Sequence, residues 1–192
     1  MGFGSWNINV IKNGMPEKVA TAVAKLNEDH LGAVYTPIAY LGSSLVNGTN
    51  HAVLMEQKII AGVDTKNVVV VIFNEQPGYI DLTLVSIDRI VESGDPMGGV
   101  VVDVKDVEGD AKAVWDGAFD GFVGSKVEPF ALLGTQIVNG CNYIYAVEME
   151  TVTAEPQKSL VVVTINDKQK TVGFAEMLKT KHEASLGYSF TW

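Results

Sequence analysis

The chain has one cysteine, Cys141, in 192 residues. No disulfide can close within it, which suits a reducing compartment or a fold that holds without covalent staples. Positive charge is also scarce. Lys and Arg number 14 against 23 Asp and Glu, a formal charge of −9. Phosphate binding needs a basic surface, so no nucleic-acid partner is expected. The longest apolar runs are far too short to span a bilayer as helix, and no membrane partner is expected either. The N-terminal stretch lacks a basic segment followed by an apolar one. The expected location is the cytoplasm, or outside the cell after loss of a leader.

Chemistry-bearing clusters are missing as well. His30, His51 and His182 are scattered, and none sits at metal-ligand spacing. No phosphate-cradling glycine motif occurs. Nothing near Cys141 in sequence lowers its pKa, so it reads as a structural cysteine. No cofactor, no metal and no enzymatic activity are expected.

What is present is a repeat. Leu41-Gly42-Ser43-Ser44-Leu45-Val46-Asn47-Gly48-Thr49-Asn50 aligns with Leu133-Gly134-Thr135-Gln136-Ile137-Val138-Asn139-Gly140-Cys141-Asn142, 92 residues on. The same offset pairs Val19, Ala22 and Val23 with Ala111, Val114 and Trp115, and Pro37 with Pro129. It also pairs Glu56 with Glu148, Val69-Val70-Val71 with Val161-Val162-Val163, and Asn74 with Asn166. Two copies are too few for a solenoid, so two small units are expected, over 1–94 and 95–192.

Periodicity outlines one unit. Trp6, Ile8 and Val10 alternate as an edge strand would. From Pro16 to about His30, Val19, Ala22, Val23 and Leu26 recur at helical spacing. After Gly32 everything reads as strand: 34–45, 49–60, 67–73 and 79–90. Asn47-Gly48 marks a hairpin, because both central residues of a type I′ turn need φ > 0. The second unit repeats the order, with a strand over 100–104 and a helix over about 110–122 that turns Val114, Trp115, Ala118, Phe119 and Phe122 inward. The expected class is α+β: in each unit, an antiparallel sheet wrapped on one helix.

Gln136-Ile137-Val138-Asn139-Gly140 resembles the Gln-x-Val-x-Gly loop of cystatins, protein inhibitors of papain-like cysteine peptidases. Asn142-Tyr143 and the strand from Ile144 to Met149 are similar to the stretch that follows that loop. A glycine, Gly4 or Gly98-Gly99, precedes each helix by about ten residues, as in the family, though these do not align at 92. Lack of disulfides places the likeness nearer the intracellular branch. The chain departs from the family in two places. Ser44 replaces the glutamine in the first unit, and neither later hairpin, 74–78 or 166–170, carries Pro-Trp.

The resemblance implies tandem cystatin-like units and a reversible inhibitor that fills a peptidase cleft without chemistry. It implies an inhibitory edge made by Gln136, Ile137, Val138, Asn139 and Gly140 with Gly98 and Gly99. Val46, Asn47 and Gly48 with Gly4 would form its counterpart in the first unit. A fully buried aliphatic tip is worth about 1.5–3 kcal/mol. The alternative is a non-inhibitory module that binds another protein or peptide, since a scaffold alone does not license function.

Overall fold

Pro16 opens the first helix. It has no N–H to offer, and its carbonyl accepts the first turn's bonds from Val19 and Ala20. The structure containing it is a computed structural model, which describes residues 5–60, 65–94, 99–178 and 188–191. The chain divides into two compact units, Met1–Glu92 and Ser93–Trp192.

Unit one runs β1 (Trp6–Ile11), α1 (Glu17–Asp29), β2 (Ala33–Leu45), β3 (Thr49–Ile59), β4 (Thr65–Glu75) and β5 (Thr83–Glu92). The strands form one antiparallel meander in sequence order. Val19, Ala22, Val23 and Leu26 of α1 pack on Tyr35, Tyr40, Val53, Met55, Val69, Val71 and Phe73. Asn27 clamps the helix to β2. Its Oδ1 accepts from Tyr35 N at 2.8 Å and its Nδ2 donates to Tyr35 O at 3.0 Å.

Unit two repeats this with β6 (Val100–Lys105), α2 (Gly109–Phe119), β7 (Ser125–Val138), β8 (Gly140–Thr151), β9 (Lys158–Asn166) and β10 (Thr171–Glu176), then adds β11 (Tyr188–Thr191) beside β10. Ala111, Trp115 and Ala118 pack on Leu132, Tyr145, Val147, Val161, Val163 and Ile165. The buried Tyr145 hydroxyl donates to Ala111 O at 2.8 Å, which satisfies a polar group the core could not otherwise tolerate.

The repeat extends to the irregularities. β2 slips register against β3 between Pro37 and Ala39 and again between Tyr40 and Gly42. β7 slips against β8 between Pro129 and Ala131 and between Leu132 and Gly134. Such bulges bend a strand and re-aim its side chains. The second slip makes room for Leu41 and Leu133, both fully buried. A Cβ on the following Gly42 would stand 2.3 Å from Asn7 O, and one on Gly134 2.4 Å from Val101 O. Only glycine lets β1 and β6 lie that close.

The expected α+β class is corrected. The protein is mostly β, 58% strand and 14% helix, and each unit carries more sheet than its one short helix can cover. A 13-residue helix is about 20 Å long, whereas strands of 13 and 14 residues extend about 45 Å. The helix therefore covers part of one face. Ala52, Leu54, Val68 and Val70, on the face opposite α1, are also buried to 1% exposure or less. These strands have the continuous apolar sequence of strands buried on both sides. The second helix is shorter than expected too. Phe122 lies beyond it, 37% exposed, with its ring edge-on to Phe119.

Candidate functional site

Three parts of each sheet meet at one end. In unit two, Val100 at the start of β6 pairs with Gln136, the β7–β8 hairpin closes at Val138 and Gly140, and Asn142 pairs with Asn166 at the head of the β9–β10 turn. In unit one, Trp6 pairs with Ser44 and Asn50 with Asn74. Each unit thus brings its first strand, first hairpin and last hairpin to a common rim.

A ladder of side-chain amides crosses this rim in unit two. Asn142 Nδ2 donates to Gln136 Oε1 at 2.9 Å, and Asn166 Nδ2 donates to Asn142 Oδ1 at 2.8 Å. Asn166 Oδ1 accepts from the backbone of Lys168 and Gln169 at 3.1 and 2.6 Å, shaping the turn. Asp167 Oδ1 accepts from Cys141 N at 2.8 Å. The hairpin is thereby fixed before any partner arrives. In unit one, Asn74 Nδ2 donates to Asn50 Oδ1 at 2.6 Å, and Gln76 Nε2 donates to Asn74 Oδ1 and to Asn47 O. Ser44 stands where Gln136 stands, and its buried hydroxyl has no partner among the described residues.

The expected site residues divide by role. Gln136 is bound into the ladder. Gly140 has φ +96°, and a Cβ there would press on Asp167 Oδ1 and Lys168 Cβ at 2.6 Å. Gly48 has φ +102° and would meet Glu75 O at 2.4 Å. Both glycines let one hairpin rest on the next. Asn47 has φ +47° and, with Gly48, gives the tight turn. Gly99 is half-buried, with Gly94 so near that a Cβ on Gly94 would lie 2.9 Å from Gly99 Cα. Gly4 and Gly98 lie outside the described residues. β1 and β6 pair with their neighbours 94 residues apart, not 92. At that spacing Gly4 and Gly98 align in sequence. What remains at the unit-two tip is apolar and exposed: Ile137 at 77% and Val138 at 44%, with Asn139 exposed between the strands. In unit one Val46 is half-buried and Leu45 is 63% exposed.

Behind the first rim lies a polar chain that no sequence motif announced. Tyr40 Oη lies 3.0 Å from His51 Nδ1, and His51 Nε2 lies 3.3 Å from Glu75 Oε2. The Lys18 ammonium bonds the other Glu75 oxygen. His51 is buried, 8% exposed. The Lys18 and His51 hydrogen bonds hold the Glu75 carboxyl below its ordinary pKa, while burial raises that of the Tyr40 hydroxyl. Unit two has Asp110, Asp167, Tyr143 and Leu132 at the same positions, so the chain is lost there. The 92-residue pairing of Glu75 with Asp167 and of Asn50 with Asn142 was the available signal.

Cys141 lies in the acidic version. Burial, then the Asp167 carboxylate, pushes its thiol pKa up, which keeps it protonated, whereas a nucleophile needs the thiolate. Among the described residues no group of three or more His, Cys, Asp and Glu could hold a metal ion. A recess of about 160 Å³ lies between α1 and the 80–82 segment, lined by Thr21, Ala22, Ile80 and Leu82 and edged by the Lys25–Asp81 ion pair. It is smaller than a drug-sized ligand requires. Among the described residues no helix is long and apolar enough to cross a membrane. Compared with known proteins, the chain matches no family model, no curated protein and no solved structure.

Proposed function

We propose that the unit-two rim is a protein-binding wedge, and that its target class is papain-like cysteine peptidases, which it inhibits reversibly by occupying the substrate cleft. The observation that carries this reading is the exposed pair Ile137 and Val138 on a hairpin fixed by the Gln136–Asn142–Asn166 ladder. Apolar side chains held out on a rigid turn lose little ordering entropy on binding, and their burial in a partner is favourable. The peptidase class rests on the resemblance of Gln136 to Gly140 to the cystatin loop. Unit one, with Val46 half-buried, contributes less. The wedge works by occlusion and needs no cofactor, metal or catalytic group of its own. The single cysteine suits the cytoplasm; secretion is the alternative.

A second reading is a non-inhibitory module that engages another protein or peptide. It is favoured by Gln136 and Gly140 both serving the hairpin's own geometry, which leaves only the apolar tip to recognise a partner. Titration against papain with a fluorogenic peptide separates the two. Inhibition that Val138→Asp abolishes supports the first; none at micromolar protein supports the second. Gly140 is the wrong position for this test, because any side chain there disturbs the turn.

A further inference from the structure

The two sheets protect their last edges differently. In unit one the edge strand β5 carries an extra residue twice. Ile72 pairs with Ser86 and Phe73 with Leu84, leaving Val85 over, and a second slip leaves Ile90 over. Bulges on an edge spoil it as a template for another strand. Among the described residues no strand pairs with the outer side of β5. In unit two, β10 pairs with β9 through six successive residues without a slip. Such a flat edge accepts a strand, and it has one: Thr171, Val172, Gly173 and Phe174 pair with Thr191, Phe190, Ser189 and Tyr188 of β11. The covered stretch corresponds to Thr83, Leu84, Ser86 and Ile87, where the Val85 bulge sits in unit one.

Among the described residues β11 has no counterpart in unit one's sheet. It is four residues long, and residues 177–187 connect it to β10. By comparison, one residue closes β7–β8 and 167–170 close β9–β10. We propose that the β10 edge is a strand-acceptor site and that β11 of a second copy takes it in trans, giving a strand-exchanged dimer. Exchange keeps every β10–β11 pairing and changes only the path of the connection, which is why swapping a terminal element is a low-cost route to dimers. The monomer is favoured only by the effective concentration of its own tethered strand, of millimolar order for a short connection. The dimer therefore forms when the chain refolds at comparable concentration.

The test uses the full chain carrying Gly173→Cys and Ser189→Cys, with Cys141→Ser to remove the native thiol. Gly173 has space for a side chain, and its Cα partner is Ser189. The variant is refolded over a range of concentrations up to about 1 mM, the effective concentration of such a link, oxidised with oxidised glutathione and run on a non-reducing gel. A disulfide-linked dimer whose fraction rises with concentration is expected. Intrachain disulfide alone at every concentration overturns the proposal. Light scattering of the unmodified protein gives an independent reading should the cysteine variant not fold. A dimer that Ser189→Pro removes supports exchange; no dimer, or one indifferent to that change, overturns it.

Discussion

Asn142 hydrogen-bonds Gln136 across the β7–β8 hairpin at 2.9 Å, whereas the equivalent Asn50 faces Ser44, whose hydroxyl is buried without a partner among the described residues. One substitution between the copies thus decides whether the amide ladder reaches the first hairpin strand. A buried hydroxyl left unsatisfied is unfavourable. Ser44→Ala is expected to stabilise the protein by up to about 1 kcal/mol, seen as a higher urea midpoint with unchanged slope.

Asn166 is the other end of the ladder. It is 3% exposed, donates to Asn142 and receives two backbone N–H groups. Asn166→Ala leaves those donors without their acceptor and is expected to cost about 1–3 kcal/mol. Chemical denaturation measures the loss, which should exceed that of Gln136→Ala on the half-exposed side.

Gly140 and Gly173 form a matched pair. Gly140 has positive φ and a crowded Cβ position, while Gly173 has open space. Gly140→Ala should destabilise by about 1–3 kcal/mol, and Gly173→Ala should be neutral or slightly stabilising, because it narrows the unfolded ensemble. Thermal melts of the two variants side by side check this.

Glu75 gives a pH dependence of defined sign. Its pKa is lowered below the ordinary 4.5 by the Lys18 and His51 hydrogen bonds. A depressed carboxyl contributes stability that is present above its unfolded pKa and is lost as pH falls through the folded value. The advantage of the parent over Glu75→Gln should therefore be constant above about pH 5.5 and fade below about 4.5. It will be small, since Glu75 and Lys18 are partly exposed and solvent screens such pairs. Melting temperatures of both proteins from pH 3 to 7 test it.

The duplication was legible because its signals are local. Leu-Gly repeats at 41–42 and 133–134 since each pair makes a bulge and a close strand approach, and Asn-Gly repeats since each turns a hairpin. The helix stripe Val19, Ala22, Val23 and Leu26 was readable from its period. The balance of helix and sheet was not. Runs such as Val68 to Val71 are apolar at every position, and such a run does not show that both faces are covered. The Tyr40–His51–Glu75 chain was hidden for a related reason, as its members lie on three strands and meet only when the register is known. At the rim, the Gln-x-Val-x-Gly pattern was visible, but the ladder that uses Gln136 depends on Asn142 and Asn166 falling opposite it.

The most direct measurement is a papain titration with the parent chain, Ile137→Asp and Val138→Asp, each shown by circular dichroism and melting to remain folded. Both positions are exposed, so the substitutions should change stability by less than about 0.5 kcal/mol. Reversible inhibition by the parent is expected, with at least a tenfold weaker inhibition constant for each variant. Equal inhibition by all three proteins, or none by the parent at micromolar concentration, would contradict the wedge.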